Sequence, residues 1–135
     1  MPLIKWSEEL SVGNAEMDSE HIKLVGILNS LYDAMKEGKS KDVLNQVFLD
    51  LIEYTKVHFS DEEKLMSRHN YPEMFTHASM HRDLEAQVAA LYERYKSGQS
   101  FISMDVMDFL KDWLSNHIMQ TDKKYGAFFR SNGIY

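Results

Sequence analysis

The strongest constraint on the fold is a pattern of four apolar stripes at helical spacing, each separated from the next by a short break rich in turn-forming residues. The first stripe runs from His21 through Leu24 and Leu28 to Met35, the second from Leu44 through Phe48, Leu51 and His58 to Leu65. The third runs from His77 through Met80, His81, Leu84 and Val88 to Tyr95, and the fourth from Val106 through Leu110 and Leu114 to His117. Positions three, four and seven apart share one face of an α-helix, so these stretches predict helices over residues 18–37, 41–66, 73–96 and 103–122. The breaks contain Gly38 in "KEGKSKD", Asn70 and Pro72 in "RHNYPEM", and Gly98 in "KSGQSFIS". Connections this short join antiparallel neighbours. The expected fold is all-α, an antiparallel up-down-up-down four-helix bundle. Residues 1–17 read as an irregular N-terminal arm anchored by Trp6, and residues 1–135 as one domain.

Composition removes several classes of function. A formal net charge of -6 disfavours nucleic acid and anionic membranes as partners. There is no cysteine, which leaves only nitrogen and oxygen donors for any metal and rules out a thiolate nucleophile. "MPLIKWSEELSV" lacks the apolar core of a signal peptide, and no apolar run reaches the roughly 18 residues of a membrane span. The expectation is a cytoplasmic protein with no membrane insertion.

What stands on the stripes is the wrong chemistry for an ordinary core. Of six histidines, His21, His58, His77, His81 and His117 lie on inward faces, and Glu62 follows His58 by one turn. His69, beside the Asn70-Tyr71-Pro72 turn, reads as a surface residue. One inward histidine is usually a core side chain with its hydrogen bond satisfied. Five with a carboxylate are another matter, because each unpartnered buried polar group costs about 1–3 kcal/mol. Together they would cancel the roughly 5–15 kcal/mol that holds a domain folded. A divalent transition metal satisfies such groups directly, since neutral imidazole and carboxylate are both its ligands.

The spacing supports convergence. His58/Glu62 and His77/His81 are i, i+4 pairs, each on one helix face. In an antiparallel bundle, the starts of helices one and three and the ends of helices two and four lie together, which brings all these residues to one end. With Asp122 the set is too large for one ion. Two octahedral ions bridged by both carboxylates and a solvent-derived oxygen, an arrangement suited to iron, would use eleven of twelve positions. One position stays open for O2, and two ferrous ions can supply the two electrons that take O2 to the peroxide level. Phe59, Trp113, Leu114 and Ile118 are candidates for an apolar O2 pocket that limits water and proton entry.

One interval resists this reading. In "HIMQTD", Asp122 follows His117 by five residues and would sit roughly 140° around a regular helix. A shared site requires either a π-type turn, which accommodates one extra residue, or a helix that frays after Thr121.

Four motifs, "MDSEH", "HFSDEE", "HASMH" and "HIMQTD", resemble the ligand motifs of the hemerythrin family, and "IKWSEELSVG" with "NYP" resembles its bacterial single-domain members. The resemblance covers essentially the whole chain. It implies two iron ions per chain, one held by His77, His81 and His117 and the other by His21 and His58, with Glu62 and Asp122 bridging. O2 would bind at the ion held by His21 and His58. Two positions depart from the family pattern: Glu20 stands where glutamine is frequent, and Leu84 where phenylalanine is frequent. The expected function is reversible O2 binding, as store or as carrier to an oxygen-consuming enzyme, by a monomer that is not itself an enzyme. The competing readings are a di-iron enzyme reducing peroxide or nitric oxide, and an oxygen- or iron-sensing module. Against the enzyme, the chain lacks the Glu-x-x-His pairs and the many carboxylates of oxygen-activating bundles.

Overall fold

Three of the four long helices start at a side-chain cap. Asn14 Oδ1 accepts from Met17 N–H at 3.0 Å and opens α1 (Ala15–Lys36). Ser40 Oγ accepts from Val43 N–H at 3.3 Å and opens α2 (Lys41–Arg68). The third helix, α3 (Met74–Lys96), begins without such a cap, after a turn in which Asn70 takes a positive φ of 57°. Asparagine tolerates that left-handed conformation better than most residues, which is how α2 stops here and the chain reverses. Ser103 caps α4 (Met104–Asn116). A π-helical segment, His117–Asp122, continues it without interruption and leads into α5 (Lys123–Ser131). The computed structural model describes residues 3–98 and 103–135, so part of the break expected in "KSGQSFIS" lies outside the described residues.

The chain is an all-helical four-helix bundle, with α4, the π segment and α5 forming one continuous fourth rod. Cross-helix contacts give the directions. Glu20 meets His58 at one end of α1 and α2, Lys23 lies over Tyr54 further along, and Tyr92 bonds Asn45 at the far end of α2 and α3. Rising numbers on one helix meet falling numbers on its neighbour, so consecutive helices run antiparallel. Leu24, Leu28, Phe48, Leu51, Leu84, Val88, Leu110 and Leu114 fill the core between them. Among the described residues, no helix is long and apolar enough to cross a membrane.

Several boundaries and placements differ from the sequence reading. The fourth rod does not stop at residue 122 but runs nine residues further, carrying Tyr125 and Phe129 into the core. Met80, assigned to the third stripe, is 41% exposed. The stripe that packs inward is His77, His81, Leu84 and Val88, and Met80 lies to its side. His69 is not a free surface residue. It caps the end of α2, half-buried, with its ring edge-on to Phe129 at 5.5 Å between centroids.

The N-terminal arm is held more firmly than a single Trp6 anchor would manage. Trp6 is only partly buried, whereas Ile4, Leu10 and Val12 are core residues. Asn29 bonds both backbone groups of Ile4, at 2.9 Å and 2.8 Å. Asp18 accepts from Val12 N–H at 2.8 Å and from Ser11 Oγ at 2.6 Å. Gly126 on α5 supplies the seat: a Cβ there would overlap the Val12 carbonyl oxygen, so only glycine lets the arm approach this closely.

Candidate metal centre

Seven buried side chains converge at the end of the bundle under this arm. They fall into two overlapping groups, Glu62, His77, His81, His117 and Asp122 in one and His21, His58, Glu62 and Asp122 in the other, each with its donor atoms within 4.8 Å of one another. Asp122 joins the groups: Oδ1 lies 2.9 Å from His77 Nε2 and 3.0 Å from His117 Nε2, and Oδ2 lies 3.1 Å from His21 Nε2. Glu62 does the same, with Oε1 3.2 Å from His81 Nε2 and 3.3 Å from His58 Nε2, and Oε2 3.4 Å from His21 Nε2. All seven residues proposed from the sequence are therefore in one place, three histidines on one side and two on the other.

The π segment is what brings Asp122 into it. Lys123 N–H reaches the Ile118 carbonyl five residues back, where a regular α-helix would reach four. The extra residue is absorbed in that wide turn, and Asp122 returns to the face of His117 instead of pointing to the opposite side. Of the two geometries the sequence allowed, the helix widens rather than frays.

Protein groups alone do not satisfy this cluster. Both nitrogens of His21, Oε1 of Glu62 and both oxygens of Asp122 are buried without a hydrogen bond of acceptable geometry, although they approach other polar atoms closely. His117 Nε2 also faces His77 Nε2 at 3.2 Å and His81 Nε2 at 3.3 Å, three ring nitrogens aimed at a common point. Leaving such groups unpaired is costly, and cations placed between them would meet the inward lone pairs of His21 Nε2, Glu62 and Asp122 at once. Nitrogen and carboxylate donors in these numbers suit divalent first-row metals.

The electrostatics carry the same message. Burial by itself would lower the His21 and His58 pKa values, but the carboxylates of Asp122, Glu62 and, for His58, Glu20 overcome it and raise them to about 9 and about 10. Burial would raise the Glu62 and Asp122 carboxyls, and Glu62 further raises Asp122. The facing histidines reverse this and hold both acids well below the usual carboxylate range. The cluster is a set of anions that draws positive charge inward, whether as protons or as metal.

Three contacts around the ligands escaped the sequence reading. Tyr125 donates its hydroxyl hydrogen to Glu62 Oε2. Burial first, and then the charges of Glu62 and Asp122, push that phenol well above its ordinary pKa, so it stays a donor. It lies three residues beyond Asp122, on the same face, and was missed because the helix was expected to end there. Glu20 Oε1 lies 2.8 Å from His58 Nδ1, and Glu63 Oε2 lies 3.0 Å from His81 Nδ1. Such outer hydrogen bonds fix which ring nitrogen would face a bound metal.

The four pocket candidates separate. Trp113 and Leu114 line an apolar cavity of about 30 Å³ on the bundle axis, with Leu24, Leu28, Leu51, Thr55, Leu84, Val88 and Leu110. Phe59 and Ile118 are not among its lining residues. Phe59 instead stacks flat on His81, 3.7 Å between centroids, and Ile118 is fully buried in the π segment. Trp113 also stacks on His117 at 4.5 Å, so these two aromatic rings brace ligand imidazoles. Leu24, Thr55, Leu84 and Leu114 are each three residues from a ligand histidine, which sets the cavity about 4.5 Å along the axis from the ligand layer.

Fold and centre together define a metal-binding four-helix bundle with a histidine and carboxylate donor set. The chain belongs to the hemerythrin family: residues 12–129 match the hemerythrin HHE cation-binding domain. Bacteriohemerythrin from Methylococcus capsulatus is 30% identical over 127 residues, covering 93% of this chain and 96% of that protein. Bacteriohemerythrin from Stenotrophomonas maltophilia is 30% identical over 93% of this chain and 80% of its own length. The crystal structure of wild-type hemerythrin superposes with a TM-score of 0.88 at 28% identity, covering 93% of this chain and 96% of that one.

Proposed function

We propose that the chain binds O2 reversibly at a pair of non-haem iron ions, as a store or a carrier that delivers oxygen to an oxygen-consuming enzyme, and that it is not itself an enzyme. His77, His81 and His117 would hold one ion, His21 and His58 the other, and Glu62 and Asp122 would bridge them. The iron pair, when bound, supplies the electrons and the open coordination position that reversible O2 binding needs.

The observation that carries the reading is the character of the cavity beside the centre. Its lining is aliphatic and aromatic apart from Thr55, and the Thr55 hydroxyl donates to the Leu51 carbonyl at 2.6 Å. The buried Tyr125 hydroxyl is likewise committed to Glu62. Apart from the indole N–H of Trp113, which is too weak an acid to give up its proton, no side chain lining the cavity carries an uncommitted polar hydrogen, and cleaving or releasing reduced oxygen needs protons. Apolar walls that exclude water and withhold protons favour a bound molecule that leaves as it came. At about 30 Å³ the cavity suits a diatomic gas, since on the same measure one water needs about 10–15 Å³.

Metal analysis and an absorption spectrum before and after air is admitted test this. The expected result is two irons per chain and a visible band that appears with O2 and disappears on deoxygenation. About one metal per chain, or no spectral response to O2, defeats the proposal.

A further inference from the structure

Two carboxylates outside the ligand set each hold a ligand histidine by its outward nitrogen, one on each side of the centre, and their own surroundings differ. Glu63 Oε2 accepts from His81 Nδ1 at 3.0 Å and from Arg82 Nη2 at 2.5 Å, so a guanidinium, shared with Glu85 at 3.4 Å, offsets part of its charge. Glu20 Oε1 accepts from His58 Nδ1 at 2.8 Å, and among the described residues no lysine or arginine pairs with it. Its other charged neighbour is Asp61, a second acid. The remaining histidine on that side, His21, has its Nδ1 buried without a partner. Negative charge from outside the ligands therefore reaches the two-histidine side without a paired cation, and the three-histidine side partly offset by Arg82.

We propose that Glu20 is a positioning residue that orients His58 and, through it, makes the ion held by His21 and His58 the more easily oxidised of the two. An imidazole whose N–H is bonded to a carboxylate is a stronger donor, and unscreened negative charge in a low-dielectric site stabilises the more positive oxidation state. Glu63 has the same geometry toward His81, but Arg82 withdraws part of that effect. The two ions would therefore have separate one-electron midpoint potentials, the lower on the His21/His58 side. This rests on the di-iron reading above.

Anaerobic spectroelectrochemical titration of the iron-loaded full chain tests it. Glu20→Gln keeps a carbonyl oxygen for His58 Nδ1–H and removes only the charge. It is expected to raise the lower potential by about 59 mV, a tenfold change in the ferric-to-ferrous ratio at a fixed potential, and to narrow the gap between the couples. Arg82 is 55% exposed, so Arg82→Gln should fold normally. It leaves Glu63 uncompensated and should lower the upper potential, again narrowing the gap. An unchanged lower potential in an iron-loaded Glu20→Gln chain overturns the proposal. If Glu20→Gln takes up less iron, Arg82→Gln decides alone, and an unmoved or raised upper potential overturns the proposal. The titration uses no O2, so a chain that loads two irons but does not bind O2 defeats only the functional reading. A chain that takes up no iron overturns both.

Discussion

Glu62 concentrates the chemistry of the centre in one side chain. One of its oxygens faces histidines of both groups, and the other faces His21 and accepts from Tyr125. Glu62→Ala should therefore empty both metal positions together, read as the iron content of the purified chain. Retention of one iron would contradict a bridging role. The titrations give a second prediction. In protein stripped of metal, His21 and His58 have pKa values of about 9 and about 10, above the ordinary 6.5. Their stabilisation is fully present below about pH 6.5 and is lost as pH climbs through those raised values. Glu62 and Asp122 are depressed, so their contribution is present above the ordinary 4.5 and 3.8 and is lost only in stronger acid. Thermal unfolding of the stripped chain should show greatest stability near about pH 5–6 and a decline toward alkaline pH. A profile flat from pH 6 to 10 would contradict the pairing. Iron loading has the opposite sign, because ligand imidazoles must release protons, so affinity should rise with pH over the same range.

The fourth rod shows how one element can be legible in pattern and illegible in detail. Its apolar period named Leu110, Leu114 and His117 as inward residues, and the five-residue step to Asp122 called for a wide or frayed turn. Period alone could not choose between these, because the choice depends on the residues beyond Asp122. Tyr125 and Phe129 bury themselves past the turn, and that packing continues the helix and makes the π geometry the better solution. Deleting Gln120, an exposed residue in the wide turn, should restore regular α spacing and leave Asp122 four residues from His117, about 40° around the helix and still on its face. The chain should remain helical by circular dichroism and still load two irons. Loss of iron from that deletion would show that the centre needs the wide turn itself and not only a shared face for His117 and Asp122.

For the whole molecule, the bundle does two jobs with one axis. One end gathers polar ligands under the docked arm, and the next layers are apolar and leave a small cavity. Leu84 borders that cavity three residues from His81. Leu84→Phe should fill it, leave iron content unchanged and slow O2 association in stopped-flow measurements. An unchanged association rate would mean that the cavity is not on the route. The arm is the other global feature. Its seat at Gly126 brings Val12 backbone against α5, and Gly126→Ala should cost about 1–3 kcal/mol in unfolding free energy by forcing the two apart. A variant as stable as the parent would show that the arm yields easily.

The four helices, their antiparallel order and the seven converging candidate ligands were all legible in the chain, because helical period and i, i+4 spacing are local geometry that each residue carries with it. The motif resemblance then named the family, and the matched residues agree with it. Glu20 was visible as a departure from the family pattern, yet its bond to His58 was not, since that contact joins residues on two helices. Glu63 with His81 and Tyr125 with Glu62 share that character. So do the stacking of Phe59 on His81 and the separation of Phe59 and Ile118 from the cavity wall. These depend on how far each helix is rotated about its own axis, a quantity set by packing every neighbour at once and written in no single stretch of sequence.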